Sequence, residues 1–493
     1  MRTLSLLSLA LSSGVTAPAM AENSAPQALG ESQRQPNIIL ILADDLGYAG
    51  LSSFGGEGIA TPHLDALVEQ GAKLTNFYAT STVCTPTRVG LMTGLYPQRT
   101  GLDHLYHHCA PEGLSPTEYP SLSLHMKAQG YRTGVFGKWH LGSAPEYQPK
   151  AQGFDDFVGF LDGNIDYISK LNTESEVDWY VHHEHGFQEG YVTDLLNQAV
   201  VDFIEREQDK PFFIYLPHAA PHVPLQGPGD KPLRTDDFYV YTVQGQFPKA
   251  EYMRRYREIV GSMDDGVGMM MAKLRELGLE QDTLIIFTSD NGGERTGVRH
   301  GRVNGEHRGH KNTFYEGGLK VPALAYWKGR IEPGQVVDTP MITHDLTPTI
   351  ANLSGAPMEA ALDGVDLTDL LLHGKALAER PLYWQHTHKL AMREGDWKLV
   401  YHRPQPELYH LASDPLERHD RAGEPGQQAR LKAMSEAALN WRAETAVGIP
   451  AQRVIGEHQP YQGPCKRDLD AFNQGKRYRW TDAGGVIEVP SAD

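Results

Sequence analysis

The chain has 493 residues, of which 40% are hydrophobic and 22% charged, a globular composition with enough apolar material for a large buried core. Its formal net charge of −17 argues against a nucleic-acid partner, because such binders present a basic face. A local cluster of cations can still bind an anion, since long-range repulsion is screened over about 10 Å at moderate salt. At the N-terminus, Arg2, the short apolar stretch from Leu4 to Val15 and Ala19-Met20-Ala21 read as a signal peptide over residues 1–21. The mature protein is then expected to be periplasmic or secreted, with a disordered leader over 22–35. No later run is long and apolar enough to span a bilayer.

From Asn37 to Ala43 (NIILILA) a continuous apolar run predicts a strand buried on both faces, and it ends in Asp44-Asp45. Thr61-Pro62 opens a predicted helix that runs to Gly71, with Thr61 as N-cap. Cys84 follows a short strand-like stretch, and a helix is expected from Arg88 to Thr93. Ser121 to Gln129 predicts a helix closed by Gly130, and Tyr131 to Phe136 a strand leading into Lys138. Val192 to Glu207 predicts a helix, and Pro211 to Leu216 a buried strand running toward His222. Glu251 to Leu277 reads as a long amphipathic helix, and Thr283 to Thr288 as a buried strand ending at Asp290.

Alternating strands and helices predict an α/β fold: a large doubly wound, mostly parallel sheet flanked by helices. Beyond about Ala376 the texture changes. Short strands over 381–385, 390–393, 397–402 and 408–411, with a turn at Glu394-Gly395-Asp396 and a helix over 429–445, predict a smaller C-terminal antiparallel sheet plus helix. The expected division is a catalytic domain over 36–375 and a C-terminal subdomain over 376–493.

In doubly wound sheets ligands sit beyond the carboxyl ends of the strands. Asp44, Asp45, Lys138, His222, Asp290 and Asn291 all fall at or just after predicted strand ends. Asp44, Asp45, Asp290 and Asn291 offer hard oxygen ligands, which suit Ca²⁺ or Mg²⁺ rather than zinc. Taken singly, each acidic pair reads more readily as a turn or a helix cap.

Read in order, Cys84-Thr85-Pro86-Thr87-Arg88, Gly137-Lys138-Trp139-His140, Ala220-Pro221-His222, Ser289-Asp290-Asn291-Gly292, Lys311 and Glu316-Gly317-Gly318 resemble the sulfatase family, within the alkaline phosphatase superfamily. The resemblance runs from about Asn37 to about Asp420. It implies a sulfuric ester hydrolase in which a maturation enzyme converts Cys84 to formylglycine (3-oxoalanine). It also implies a divalent cation, usually calcium, held by Asp44, Asp45, Asp290 and Asn291 together with the modified residue 84. In the family's scheme Arg88 holds the aldehyde hydrate, and Lys138 and Lys311 neutralise the sulfate oxygens. Asp290 activates the hydrate, His222 with Lys311 protonates the leaving oxygen, and His140 takes the proton that triggers sulfate release. With Cys84 so modified, Cys109 and Cys465 remain either as a disulfide or as two thiols.

Substrate choice is read from the rim. The segment from Glu294 to His310, rich in Arg, His and Gly, reads either as a mobile lid or as a reader of a sulfated carbohydrate, with His300, His307 and His310 as candidate substrate-binding residues. Asp103 to His108, Asp162 to Tyr167 and His386 to His388 are further rim candidates. A sulfated sugar, with aryl sulfates beside it, is the expected substrate. A phosphate or phosphonate monoester hydrolase on the same scaffold and an inactive exported binder of sulfated glycans are the rival readings.

Overall fold

The computed structural model describes residues 35–446 except 107–109, 111, 174, 236–246, 356–357, 359–360, 387–388 and 402–404, together with the strand backbones Arg477–Trp480 and Val486–Val489. The expected signal peptide, the leader up to residue 34, Cys109 and Cys465 lie outside the described residues. So do parts of the rim segments around His108 and His388.

Ten strands form one sheet. In spatial order they are Gln335–Val337, Ala72–Leu74, Ala323–Tyr326, Thr283–Ser289, Asn37–Ala43, Phe212–Pro217, Arg132–Lys138, Asp156–Phe160, Tyr180–Val181 and Glu184–His185. The five from Thr283–Ser289 to Asp156–Phe160 are mutually parallel. Antiparallel pairing enters around Ala323–Tyr326 and at the Tyr180 edge. The apolar Asn37–Ala43 run is the central strand, and all seven of its residues are buried.

Strand alternation separates two cores. Ile39, Ile41 and Ala43 pack with residues of the helices Val192–Glu207 and Lys249–Glu276, including Leu196, Val200, Ile259 and Met263. Ile38, Leu40 and Leu42 face the other way, with Val89 and Met92 of the helix Cys84–Thr93, Met126 of Leu122–Ala128 and Ile350 of Leu346–Ser354. Burying each such side chain contributes about 1.5–3 kcal/mol. No helix among the described residues is long and apolar enough to cross a membrane.

The C-terminal part forms an antiparallel sheet of Leu382–His386, Lys389–Glu394, Trp397–Tyr401 and Glu407–His410. One face takes Met434, Ala438 and Trp441 of the helix Gln428–Thr445 against Leu390, Met392 and Leu399. The other face, through Trp384, Ala391 and Val400, packs on Tyr78, Phe314 and Leu319 of the main body.

Three local expectations change. The helix expected from Arg88 begins at Cys84, so Pro86 stands in its first turn, where no intrahelical N–H is required. The segment from Glu294 to His310 contains a helix, Arg295–Gly301, and the Glu294 carboxylate accepts a hydrogen bond from Thr296 N–H at its start. Its polar residues carry no apolar periodicity to announce it. Asp156–Phe160 adds a strand that its short sequence, DFVGF, does not signal. A glycine precedes Lys138 for a steric reason: Gly137 has φ 134°, and a Cβ there would lie 1.9 Å from the carbonyl oxygen of Pro217 on the neighbouring strand.

His218 follows the Phe212–Pro217 strand, and its N–H donates to the Leu42 carbonyl. Its ring is fully buried, and neither ring nitrogen has a hydrogen-bond partner among the described residues. Burial pushes its pKa down to about 3. Below about pH 6.5 the unfolded chain gains a proton here that the folded chain refuses until about pH 3. Stability therefore falls on acidification through that window, by at most about 1.4 kcal/mol per pH unit from this residue. His218→Leu should shift the stability difference from the parent in the variant's favour as pH drops from 7.5 toward 4, which denaturant midpoints at each pH would measure.

Candidate active site

At the carboxyl edge of the central strands the ladder extends one residue further. Asp44 N–H donates to the Ala220 carbonyl and Asp290 N–H to the Ala43 carbonyl, so two carboxylates are fixed side by side. The chain then turns at Asp45, in the left-handed region at φ 63°. Asp45 N–H donates to Asp290 Oδ1 over 3.1 Å. Asn291 Nδ2 donates to Asp45 Oδ1 over 2.7 Å. Asn291 Oδ1 is buried and has no hydrogen-bond partner among the described residues.

Cys84 lies at the first turn of its helix and is 1% exposed. Its Sγ is 3.4 Å from Asp44 Oδ1 and 4.0 Å from Asp45 Oδ1. Asp44, Asp45, Cys84 and His222 place one ligand atom each within 4.8 Å of one another. The carboxylates and Asn291 Oδ1 form a hard-oxygen donor set that fits Ca²⁺ or Mg²⁺. The unpaired Oδ1 gives such an ion a ligand that no protein group occupies.

Three cations enclose this set. Arg88 donates from Nε and Nη2 to Asp290 Oδ2 over 3.2 and 2.8 Å, and from Nη1 to the Lys138 carbonyl over 2.9 Å. Lys138 Nζ donates to Asp44 Oδ2 over 2.7 Å. Lys311 Nζ donates to Asp45 Oδ2 over 2.9 Å and lies 3.5 Å from Cys84 Sγ. Burial and the neighbouring Asp290 push the Asp44 pKa up to about 7. Burial opposes ionisation of Asp290 too, but Arg88, Lys138 and Lys311 outweigh it and hold that carboxyl well below the usual range. Burial raises the Cys84 thiol, so it is not a thiolate nucleophile as it stands.

His222 donates from Nδ1 to the Val223 carbonyl over 2.8 Å, which leaves Nε2 as the acceptor facing Lys311 Nζ at 3.3 Å. Burial pushes its pKa down to about 3, so the proton shared by this pair resides on Lys311. His140 donates from Nε2 to the Tyr106 carbonyl over 2.9 Å, and Nδ1 is buried without a partner among the described residues. Burial, with Lys138 and Arg88, holds His140 neutral.

The structure thus gathers Asp44, Asp45, Cys84, Arg88, Lys138, His222, Asp290, Asn291 and Lys311 in one contact network, with His140 beside it. Both Asp290 oxygens are engaged, by Arg88 and by Asp45 N–H, and Asp44 Oδ1 lies 3.4 Å from Sγ. Two of the three rim histidines, His300 and His307, have no described contact with this network. His300 packs on Tyr252 at 5.4 Å between ring centroids, and His307 is half-buried, edge-on against Tyr48 at 4.9 Å. His310 adjoins Lys311 in sequence and donates from Nδ1 to its carbonyl.

Residues that sequence reasoning passed over complete the frame. Thr85 Oγ1 accepts Tyr106 N–H over 3.1 Å, so the residue after Cys84 sets the carbonyl that fixes the His140 tautomer. Tyr167 hydroxyl holds the His222 turn through the Ala219 and His222 carbonyls. Asn304 receives Gly293 N–H and donates to the Gly309 and Gly317 carbonyls, joining the Asn291 turn to the Lys311 loop. The signal for Thr85 was its place in the motif; Tyr106 and Tyr167 fall in two of the rim segments; Asn304 carried no signal.

A family model described as Sulfatase matches residues 36–356, and one described as N-sulphoglucosamine sulphohydrolase, C-terminal, matches residues 305–444. Human arylsulfatase A is 32% identical, covering 88% of this chain and 93% of its own length. Pig N-acetylgalactosamine-6-sulfatase is 33% identical over 74% of this chain and 71% of its own. The crystal structure of Ps i-CgsB superposes with a TM-score of 0.74 at 30% identity, covering 83% of this chain and 93% of that one. The same protein in complex with k-i-k-neocarrahexaose gives a TM-score of 0.73 at 29% identity over the same shares. The matched region carries every member of the clustered site, and the chain belongs to the sulfatase family of sulfuric ester hydrolases.

Proposed function

We propose that this sulfatase removes sulfate from a sulfated carbohydrate, and from aryl sulfates, with formylglycine made from Cys84 and a calcium ion held by Asp44, Asp45, Asp290 and Asn291. The observation that carries the reading is the meeting of Cys84 Sγ with Asp44 at 3.4 Å and Lys311 at 3.5 Å, beside the unpaired Asn291 Oδ1. Similarity to an N-acetylgalactosamine-6-sulfatase and to a protein crystallised with an oligosaccharide supports the carbohydrate class. The same reading places the enzyme in the periplasm or outside the cell, in polysaccharide degradation, and gives it a maturation enzyme as partner. It divides the chain into a catalytic domain over 36–375 and a C-terminal subdomain over 376–493.

The residues' own contributions follow from charge and proton placement. Asp44, Asp45 and Asp290 are matched one for one by Arg88, Lys138 and Lys311, so the protein cluster is formally neutral. A divalent cation held by Asp44, Asp45, Asp290 and Asn291 would make it positive and would supply Lewis-acid polarisation of the sulfate oxygens and of the hydrate at position 84. Arg88, fixed from both sides, orients residue 84 one helical turn before it. Lys138 and Lys311 face the anionic sulfate in a dry site, where fixed charges act strongly. The His222–Lys311 pair keeps a proton at Lys311 Nζ for the departing oxygen. His140 Nδ1 offers a lone pair to accept a proton from the group at position 84. His310, adjoining Lys311, is the rim histidine best placed to meet the sugar.

Peptide mass of matured protein should show residue 84 as the aldehyde rather than the thiol. Cys84→Ala should lower kcat for sulfate release at least about 1,000-fold while the fold persists. The wild type should prefer an aryl sulfate to the matched aryl phosphate. Failure to release sulfate from any ester by protein carrying the aldehyde would overturn the reading.

Chelation should abolish turnover, and Ca²⁺ should restore it. Asn291→Ala should raise the Ca²⁺ concentration giving half-maximal activity by about 10-fold or more, read from a metal titration.

His222→Ala should cost a sugar sulfate more than an aryl sulfate with an acidic leaving group, by about 10²-fold or more in kcat/KM. Steady-state assays on both esters would check this.

A further inference from the structure

A second cluster of charges gathers around Glu316, at the outgoing end of the Lys311 loop. Lys398, in the C-terminal strand Trp397–Tyr401, is 0% exposed. Its Nζ lies 2.8 Å from Glu316 Oε1 and 2.9 Å from Glu417 Oε1. Glu417 is also 0% exposed, sits at φ 53°, and accepts the Glu316 backbone N–H at Oε2 over 2.6 Å. Tyr78 hydroxyl donates to Glu316 Oε2 over 2.7 Å. Three elements distant in sequence are thus locked together by buried charge. A buried ion cluster is a poor device for stability, because desolvation offsets the attraction, and its best-attested use is to fix one register.

The register held here is that of the loop that presents Lys311. Glu316 begins a short turn of helix and is followed by Gly317 and Gly318. A Cβ on Gly317 would lie 2.6 Å from the Gly309 carbonyl oxygen, and one on Gly318 would lie 2.0 Å from that of Thr313. Gly317 N–H donates to the Arg308 carbonyl over 2.7 Å. The two ends of the loop therefore rest on each other without slack, and Lys311 stands between them with its N–H on the Gly293 carbonyl. Arg308 ties the incoming end to the same C-terminal elements, donating to Tyr409 hydroxyl over 2.9 Å and to the Glu417 carbonyl over 2.6 Å. Any displacement of Glu316 is passed to Lys311 Nζ, which has to stay within reach of Asp45, Cys84 and His222.

We propose that Lys398, acting with Glu316 and Glu417, is a positioning residue for Lys311, so that the C-terminal sheet sets the proton donor of the His222–Lys311 pair. The inference rests on the sulfatase reading above and extends it to residues that touch neither the cation site nor residue 84.

The test is the variant Lys398→Met with Glu316→Gln and Glu417→Gln, which removes all three charges at similar volume. Aldehyde content by mass and the thermal midpoint are measured first, then kcat and KM on a sugar sulfate and on an aryl sulfate with an acidic leaving group. The expected result is a thermal midpoint near the parent's, aldehyde retained, and kcat on the sugar ester reduced at least 10-fold more than on the aryl ester, with KM changed little. Equal fractional loss on both esters, or none, would overturn the positioning role. Should the triple variant fail to fold, Arg308→Met, which strands no buried carboxylate, should show the same leaving-group bias at about 3-fold, and its absence would equally overturn the role. Wild-type protein unable to cleave either ester would instead overturn the sulfatase reading itself.

Discussion

Three carboxylates cannot share one dry pocket unless something offsets their repulsion. That is the condition the rest of this molecule is built to meet. Asp44, Asp45 and Asp290 come to the same edge because their strands lie side by side in the sheet. Each is answered by a cation from a different element: Arg88 from a helix, Lys138 from a strand end, Lys311 from a loop. Desolvation makes each charge costly alone and strongly coupled to its partner. The cluster is therefore cooperative, because removing one member leaves another buried and uncompensated. It also explains why the helix holding Cys84 is buried along its whole length. Arg88 reaches Asp290 and the Lys138 carbonyl only if that helix lies directly on the strand ends.

Much of this was legible because chemistry and periodicity coincide at strand ends. The NIILILA run, the stretch from Phe212 to Leu216 and TLIIFT are apolar without alternation, as strands covered on both faces have to be. The polar residues that stop them are the ones that meet in the site. What escaped reading lacked such a signature. The helix at Cys84 starts with Cys-Thr-Pro-Thr, residues of modest helix propensity, and is held by tertiary burial. The rim histidines look alike in sequence, yet His307 is packed against Tyr48 while His310 lies next to Lys311. Asn304 is one asparagine in a polar segment, and its three backbone contacts appear only when the turn at Asn291 and the loop at Lys311 close on each other.

The two sheets divide the work along physical lines. The large parallel sheet supplies rigidity and the placement of carboxylates, since its central strands are held on both edges. The small antiparallel sheet lies against Tyr78, Phe314 and Leu319, next to the loop of Lys311. Its packing is mixed, apolar at Trp384 and Val400 and charged at Lys398. The apolar contacts fasten it, and the charged ones orient what it touches.

The central position of Asn37–Ala43 has a consequence for how the chain comes into being. Its two neighbours in the sheet, Phe212–Pro217 and Thr283–Ser289, are separated from it by more than a third and about half of the polypeptide. During synthesis this apolar ribbon emerges well ahead of both strands that pair with it. A ribosome-bound or prematurely terminated product would carry two naked backbone edges along this strand if it ends before residue 212, and one if it ends before residue 283. Nascent fragments ending before residue 283 should thus depend heavily on chaperones, whatever their destination.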